Sequence, residues 1–401
     1  MKARKEEMLL SDLAIPPGEI LEETLDARGM TQAELARRMG RPVQVINEIV
    51  KGVKSITPDT AIQLEHVLGA PAHVWLGLEN EYQLTKARLQ ETKQLREQIS
   101  MLKDIPYAEM ARRGWVRRVK DKTEQVRELI LFFSVSSLIE LVERISRSGV
   151  REQPPASEIP MLSTEVEFVA VRGDRGSVLV RELESAYGTR PAIESSQMAL
   201  AAWLRKGEIE AQKIRTAPYG EKRLKGSLNS FRELTREVPN EFQRKLGDLC
   251  ASCGIALVFV APLPKMCAHG ATRWLSSDKA LVQLSVRYKY DDIFWFSFFH
   301  EVGHVLLHGK KDVFIEISDK DSQRSEKELE ADKFAANTLI PPREVRRLVS
   351  DPPFSKDKVI KFSDTIGVAP SIVVGRLHHE GLLKHSHFNA LRTKLEIKSD
   401  D

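Results

Sequence analysis

Apolar positions along the chain fall into three regimes. From the N-terminus to about residue 80 they recur every three or four residues in short runs broken by glycine and proline, which predicts a compact unit of short helices. Within it, "MTQAELARRMGRPVQVINEIVKG" (Met30–Gly52) divides into two helices. Thr31 and Glu34 have the spacing of a capping box, Leu35, Ala36 and Met39 give the first helix an apolar side, and Gly40 ends it. Pro42 suits the first turn of the second helix, which turns Val45, Ile46 and Ile49 inward. Residues 81–100 are charged and helix-forming and predict a connecting helix. From about Ile105 to Glu237 apolar helical segments alternate with loops, among them the "REQPPASEIP" break at Arg151–Pro160 and "GEKRLKGS" at Gly220–Ser227. After Gly254 the period changes: "GIALVFVAPL" and "ALVQLSV" are short β-branched runs and predict strands. An apolar helix follows, capped by Asp291 or Asp292, and another over Ser325–Pro342 is ended by two prolines. Helical patterns continue to about His379.

The fold class this pattern gives is multidomain and mostly α: an all-α N-terminal domain (1–100), a helical middle region (101–237), a C-terminal α+β domain with a small sheet (238–345) and a helical extension (346–401). Composition changes the picture little. The 401 residues are 42% hydrophobic and 29% charged, and the net charge of +4 permits a local nucleic-acid site without demanding one. The charged N-terminus has no apolar core of a secretory signal, and no apolar run approaches the roughly 18 residues that span a bilayer. Three cysteines in this length fit a reducing compartment, so the expectation is a cytoplasmic protein with no membrane partner.

The chemistry concentrates in "FWFSFFHEVGHVLLHG" (Phe294–Gly309), where two histidines and a glutamate interrupt an apolar stretch. Buried polar groups need partners. His300 and His304 lie four residues apart, on one helix face and about 6 Å apart along the axis, where both imidazoles can converge on one zinc ion. Glu301 stands beside them, placed to take a proton from water that the metal has acidified. This is the H-E-x-x-H arrangement. His308 continues the stripe but lies roughly 12 Å along the axis from His300, which suits a helix-end residue, or one that supports a ligand from behind, and not a ligand itself. The third ligand must come from another element, and Ser325–Pro342 offers Glu326, Glu328, Glu330 and Asp332, among which spacing does not choose.

The Met30–Gly52 pair of helices about a glycine turn has helix-turn-helix logic. Its second helix would place Val43, Gln44 and Asn47 near base edges in the major groove, with Arg41 and Lys51, and also Arg37 and Lys54, on phosphates.

Two resemblances sharpen these readings. Phe242–Pro342, with "FFHEVGHVLLHG" followed by "ELEADKFAANTLIPP", resembles the ImmA/IrrE family of zinc metallopeptidases, whose pattern is H-E-x-G-H-x-x-L-H and then E-A-[N/D]-x-F-A-x-x-L-x-P. The resemblance implies a zincin-like domain that hydrolyses a peptide bond with Glu301 as general base. It also implies a zinc ion on His300, His304 and Glu330, the glutamate before Ala-Asp. Asp332 departs mildly from the more usual Asn, and "FWFSF" from Arg-Phe-Thr. The oxyanion donor is left open among His269, Tyr288, Tyr290 and Arg376. Phe362–Leu383 resembles the helical extension that follows this peptidase type and is expected to pack on the catalytic domain.

Pro16–Arg88, including I-T-P and V-W-L-x-L-E-N-x-Y, resembles the XRE-type domain of HigA-like antitoxins, with Trp75 and Tyr82 anchoring the last helix. That implies a homodimer on palindromic operator DNA, although Glu48 stands where the family often carries a basic residue. Together they imply a transcriptional regulator with a zinc endopeptidase whose protein substrate is an XRE-type repressor or antitoxin. Two other readings are a repressor whose peptidase-like domain is only a sensor or partner-binding module, and a protein that cuts between its own domains. Cys250 and Cys253, with Cys267 and His269, make a zinc set on paper, but the pair reads better as small hydrophobes at a helix end.

Overall fold

Capping and apolar stripes build the first unit as the sequence predicts. The computed structural model describes residues 13–148, 194–237, 239–264, 266, 268–286, 290–310, 312–317, 325–350 and 352–395. They divide into two units, Met1–Ile99 and Ser100–Asp401. The first holds α1 (Pro17–Ala27), α2 (Gln32–Met39), α3 (Val43–Val50), α4 (Pro58–Leu68) and α5 (Ala72–Glu97). Thr31 caps α2 by accepting the Glu34 N–H at 3.2 Å, and Gly40 closes it with φ +64°. The other half of the capping box does not form, because the Glu34 carboxylate takes the guanidinium groups of Arg37 and Arg38 instead. α3 starts one residue later than expected, with Pro42 as its cap. Leu35, Ile46, Ile49, Leu64 and Trp75 form the core, while Tyr82 is only half-buried. α1 crosses the end of α3 at backbone contact: a Cβ on Gly18 would lie 2.2 Å from the Ile49 carbonyl oxygen. The charged stretch after residue 80 simply prolongs α5.

The second unit opens with α6 (Tyr107–Arg112), α7 (Lys122–Phe133), α8 (Leu138–Ser148), α9 (Glu194–Lys213), α10 (Glu221–Glu233) and α11 (Pro239–Cys253). The "GEKRLKGS" stretch is helix α10 and not the expected loop. It buries Leu224 and Phe231, two turns apart on one face, and pairs Lys225 with Glu221 at 2.6 Å. Two apolar anchors in thirteen residues leave too faint a period to read locally. The Arg151–Pro160 break lies outside the described residues.

The sheet contains β1 (Ile255–Phe259), β2 (Ala268–Ser276), β3 (Lys279–Leu284) and β4 (Phe314–Ile317) in the order β1-β3-β2-β4. β1 and β3 run parallel and the other pairs antiparallel. The two apolar runs became β1 and β3, whereas β2 and β4 carry polar residues at the site and were not marked by composition. α12 (Asp291–Leu307) packs against the sheet and α13 (Glu326–Leu339) packs on α12, followed by α14 (Pro342–Val349), α15 (Lys356–Ile366) and α16 (Pro370–His379).

Tyr290 is the cap residue of α12, so neither Asp291 nor Asp292 caps it. Both fasten later chain instead: Asp291 accepts from Ser371 Oγ (2.7 Å) and Thr393 N–H (3.1 Å), and Asp292 takes both arms of Arg392 (3.0 and 2.8 Å). One core runs from Phe231 and Phe242 through Phe294, Phe298 and Val302 to Phe362, Ile372 and Leu377, so the extension packs on α12 as expected. Cys250 and Cys253 end α11 wholly buried in that core. No helix among the described residues is long and apolar enough to cross a membrane.

Candidate metal centre and nucleic-acid interface

α12 is apolar nearly all round because it is buried against both the sheet and α13, and Gly303 lets the two helices touch. A Cβ there would lie 3.1 Å from the Phe334 ring and 3.3 Å from Ala331 Cα. This contact brings the acidic edge of α13 over the histidine stripe. His300 and His304, each 1% exposed, turn their Nε2 atoms to within 2.9 Å of each other. The carboxylate facing them is Glu328, with oxygens 3.1 Å from His300 Nε2 and 3.4 Å from His304 Nε2. Ligand atoms of these three residues all lie within 4.8 Å of one another.

The structure therefore does not bring Glu330 to the cluster, contrary to the motif-based expectation. Two residues along a helix is about 200° of turn, so Glu328 and Glu330 leave α13 on different sides. Glu330 instead meets His308 Nε2 at 3.0 Å. The inward stripe Ala331, Ala335 and Leu339 was the signal that could have found Glu328, one turn before Ala331.

The far nitrogens of both imidazoles are also engaged. His300 Nδ1 meets Asp332 Oδ1 at 2.9 Å, and His304 Nδ1 meets His308 Nδ1 at 3.0 Å. Phe314 stacks on the His304 ring with centroids 4.0 Å apart. Burial alone would lower His300, but its bonds to Asp332 and Glu328 push it up to about 11. Burial would raise Glu328, yet the His300 and His304 imidazoles that face it hold it down at about 2.

Glu301 is fully buried beside this cluster. Its Oε2 accepts from Thr272 Oγ1 at 2.6 Å, while its Oε1 has no partner. Gly270 makes room for that oxygen: a Cβ there would stand 2.1 Å from it. Burial pushes the Glu301 carboxyl up to about 8, with His300 opposing and Glu316 adding to the rise. Glu316, on β4, is likewise raised by burial and accepts from Ser297 Oγ at 3.5 Å. Two imidazole nitrogens and one carboxylate are the protein donor set of a catalytic divalent ion, and the unpartnered Glu301 oxygen fits a group arriving beside it.

Of the oxyanion candidates, Tyr290 lies ten residues before His300, about 15 Å along the helix axis, under the Arg392 guanidinium at 3.9 Å. Arg376 pairs with Glu380 at 2.7 Å. His269 sits in the β2 bulge next to Gly270. Tyr288 and Cys267 lie outside the described residues.

In the first unit Val43 (48% exposed), Gln44 and Lys51 are exposed on one side of α3, with Asn47 half-buried between them. Ile46, Ile49 and Val50 occupy the other side. Their polar groups are held ready: Gln44 Nε2 donates to Glu48 at 3.0 Å, Asn47 Nδ2 to Gln32 at 3.3 Å, and half-buried Arg41 to Gln63.

Comparison with known proteins follows the same division. A helix-turn-helix family model matches residues 21–75, and the IrrE N-terminal-like domain of the M78 peptidases matches residues 269–377. The HTH-type transcriptional regulator YddM of Escherichia coli (strain K12) is 34% identical over 71 residues, 18% of this chain and 76% of the relative. Virulence-associated protein I of Dichelobacter nodosus is 41% identical over 75 residues, 18% of this chain and 69% of that one. Among solved structures, the Pseudomonas aeruginosa antitoxin HigA with the higBA promoter is 34% identical, covering 21% of this chain and 94% of that chain at a TM-score of 0.20. The chain is thus a DNA-binding regulator of the helix-turn-helix family that also carries an IrrE N-terminal-like domain of the M78 peptidase family.

Proposed function

We propose that this regulator binds operator DNA as a cytoplasmic homodimer and hydrolyses a peptide bond in a protein partner, an XRE-type repressor or antitoxin. The peptidase centre would be a zinc ion held by His300, His304 and Glu328. The observation that carries this reading is the convergence of those three side chains beside a buried, half-partnered Glu301. Zinc, when bound, supplies Lewis acidity to water and to the scissile carbonyl. Glu301 is the general base. Thr272 occupies Oε2 and fixes the carboxylate, leaving Oε1 to receive the proton of the attacking water and return it to the leaving amine. Burial supports this role, because a carboxylate of raised proton affinity both takes and returns a proton near neutral pH. Asp332 accepts from His300 Nδ1, so Nε2 is the nitrogen that would give up its hydrogen to the ion. Among the described candidates, His269 adjoins Gly270 and acts electrostatically on Glu316, which favours it as the donor for the developing oxyanion.

On the other unit, Val43, Gln44 and Asn47 read base edges while Arg41 and Lys51 hold phosphates. Glu301→Gln is expected to keep one zinc per chain and to abolish cleavage, compared proteome-wide in cells expressing either form. Equal cleavage by the variant would remove the mechanism. Zinc retained with no product in either would favour the sensor reading.

A further inference from the structure

His308 and Glu330 take no part in the ligand set, yet both are tied to it. His308 is the residue that ends α12, and its side chain is 3% exposed. Its Nδ1 stands 3.0 Å from His304 Nδ1, and its Nε2 stands 3.0 Å from Glu330 Oε2. Each neutral imidazole carries one hydrogen, and a bond between two ring nitrogens needs one bare and one protonated. A carboxylate is an acceptor only, so Glu330 requires the hydrogen of His308 to be on Nε2. His308 Nδ1 is then bare and must accept. The hydrogen of His304 is thereby drawn to Nδ1, and His304 Nε2 is left with its lone pair facing His300 and Glu328. The opposite assignment would aim the bare Nε2 of His308 at a carboxylate and put a hydrogen on His304 where a ligand atom is needed.

We infer that His308 and Glu330 are positioning residues that fix the metal-binding tautomer of His304, as Asp332 does directly for His300. The inference rests on the metal-centre reading above. It gives Glu330 a place at the site other than coordination: its charge acts on the ion through two hydrogen bonds, from a side chain that is 56% exposed.

The test uses the full chain and zinc alone, with affinity and stoichiometry read by competition against a chromophoric chelator. Wild type is expected to hold one equivalent, and Glu328→Ala to lose it. His308→Leu and Glu330→Ala keep the stoichiometry and the circular dichroism of the wild type. His308→Leu weakens affinity on the order of 10- to 100-fold, the range seen when the hydrogen-bond partner of a ligating histidine is removed. His308→Gln keeps an acceptor toward His304 and a donor toward Glu330, and recovers most of that loss. Ring-nitrogen NMR of the zinc form, with selectively labelled histidine, is expected to find the His308 hydrogen on Nε2. Wild-type affinity in His308→Leu, a His308→Gln as weak as His308→Leu, or the hydrogen on Nδ1 would overturn the inference alone. A wild type that binds no zinc would overturn the metal centre with it.

Discussion

A single methyl group placed on Gly270 tests the geometry of the proposed general base. Gly270 does not have a positive φ, so alanine fits its backbone. On that ground alone the change would stabilise by roughly 0.4–1 kcal/mol through the unfolded chain. Its Cβ, however, would stand 2.1 Å from Glu301 Oε1, 2.8 Å from Cδ and 3.0 Å from Cγ. A carbon and a carboxylate oxygen need on the order of 3.3 Å, so the oxygen must retreat by about 1 Å. Neither direction is open, because Thr272 holds Oε2 and the residue is fully buried. Overpacking of this kind costs roughly 1–3 kcal/mol, which outweighs the backbone gain. Calorimetry is expected to show the transition of the second unit lowered by a few degrees, at roughly 2–4 °C per kcal/mol for a unit of this order of size. A displacement of about 1 Å also costs on the order of 10²-fold in rate, while zinc stoichiometry is unchanged because no ligand moves. Adding Glu301→Asp withdraws the carboxylate by one methylene and is expected to recover stability, a favourable coupling in the double-mutant cycle. Gly270→Ala melting at or above the wild type, or no coupling to Glu301→Asp, would refute the packing argument and with it the placement of the base.

Glu48→Lys frees Gln44 and replaces a carboxylate on the exposed side of α3 with a cation. Band shifts with the protein's own upstream DNA are expected to show tighter binding, with the dependence of log affinity on log salt steeper by about one; an unchanged slope would take this side of α3 out of the interface. Asp291 is raised by burial, with Ser371 and Thr393 opposing and Asp292 adding. Since the folded chain holds that proton more tightly than the unfolded one, its contribution is complete below the unfolded carboxyl pKa and fades as pH rises through the folded value. Asp291→Asn keeps Oδ1 as the acceptor for the Thr393 N–H and turns an amide donor toward Ser371 Oγ, which can accept in its turn, so urea titrations are expected to find it more stable than wild type near neutral pH, with the gap closing in acid. A gap that widens in acid would contradict the sign.

Much of the site was legible because its signals are local. The turn at Gly40 and the cap at Thr31 depend on a few neighbouring residues, and His300, Glu301 and His304 share one helical turn, so periodicity alone assembles them. The strands that pack most deeply, β1 and β3, announced themselves as β-branched runs. α10 did not, since charge dominates its sequence and only Leu224 and Phe231 tell its buried side. β2 was hidden because its composition answers to one buried side chain. A glycine, a threonine and an arginine lower its apolar content, and Gly270 and Thr272 are there to seat Glu301 rather than to fill a core.

The amino-acid order by itself determined which residue types were available to a metal and which helix would carry two of them. It did not determine the third. Glu326, Glu328, Glu330 and Asp332 are equivalent as chemistry and nearly so as spacing. Their difference is created when Gly303 admits α13 against α12 and sets the angle at which it lies. At that angle Glu328 meets both imidazoles, Asp332 meets the back of one, and Glu330 reaches the other only through His308. Contact between segments far apart in the chain is a property of packing, and packing sums over residues that no local pattern lists.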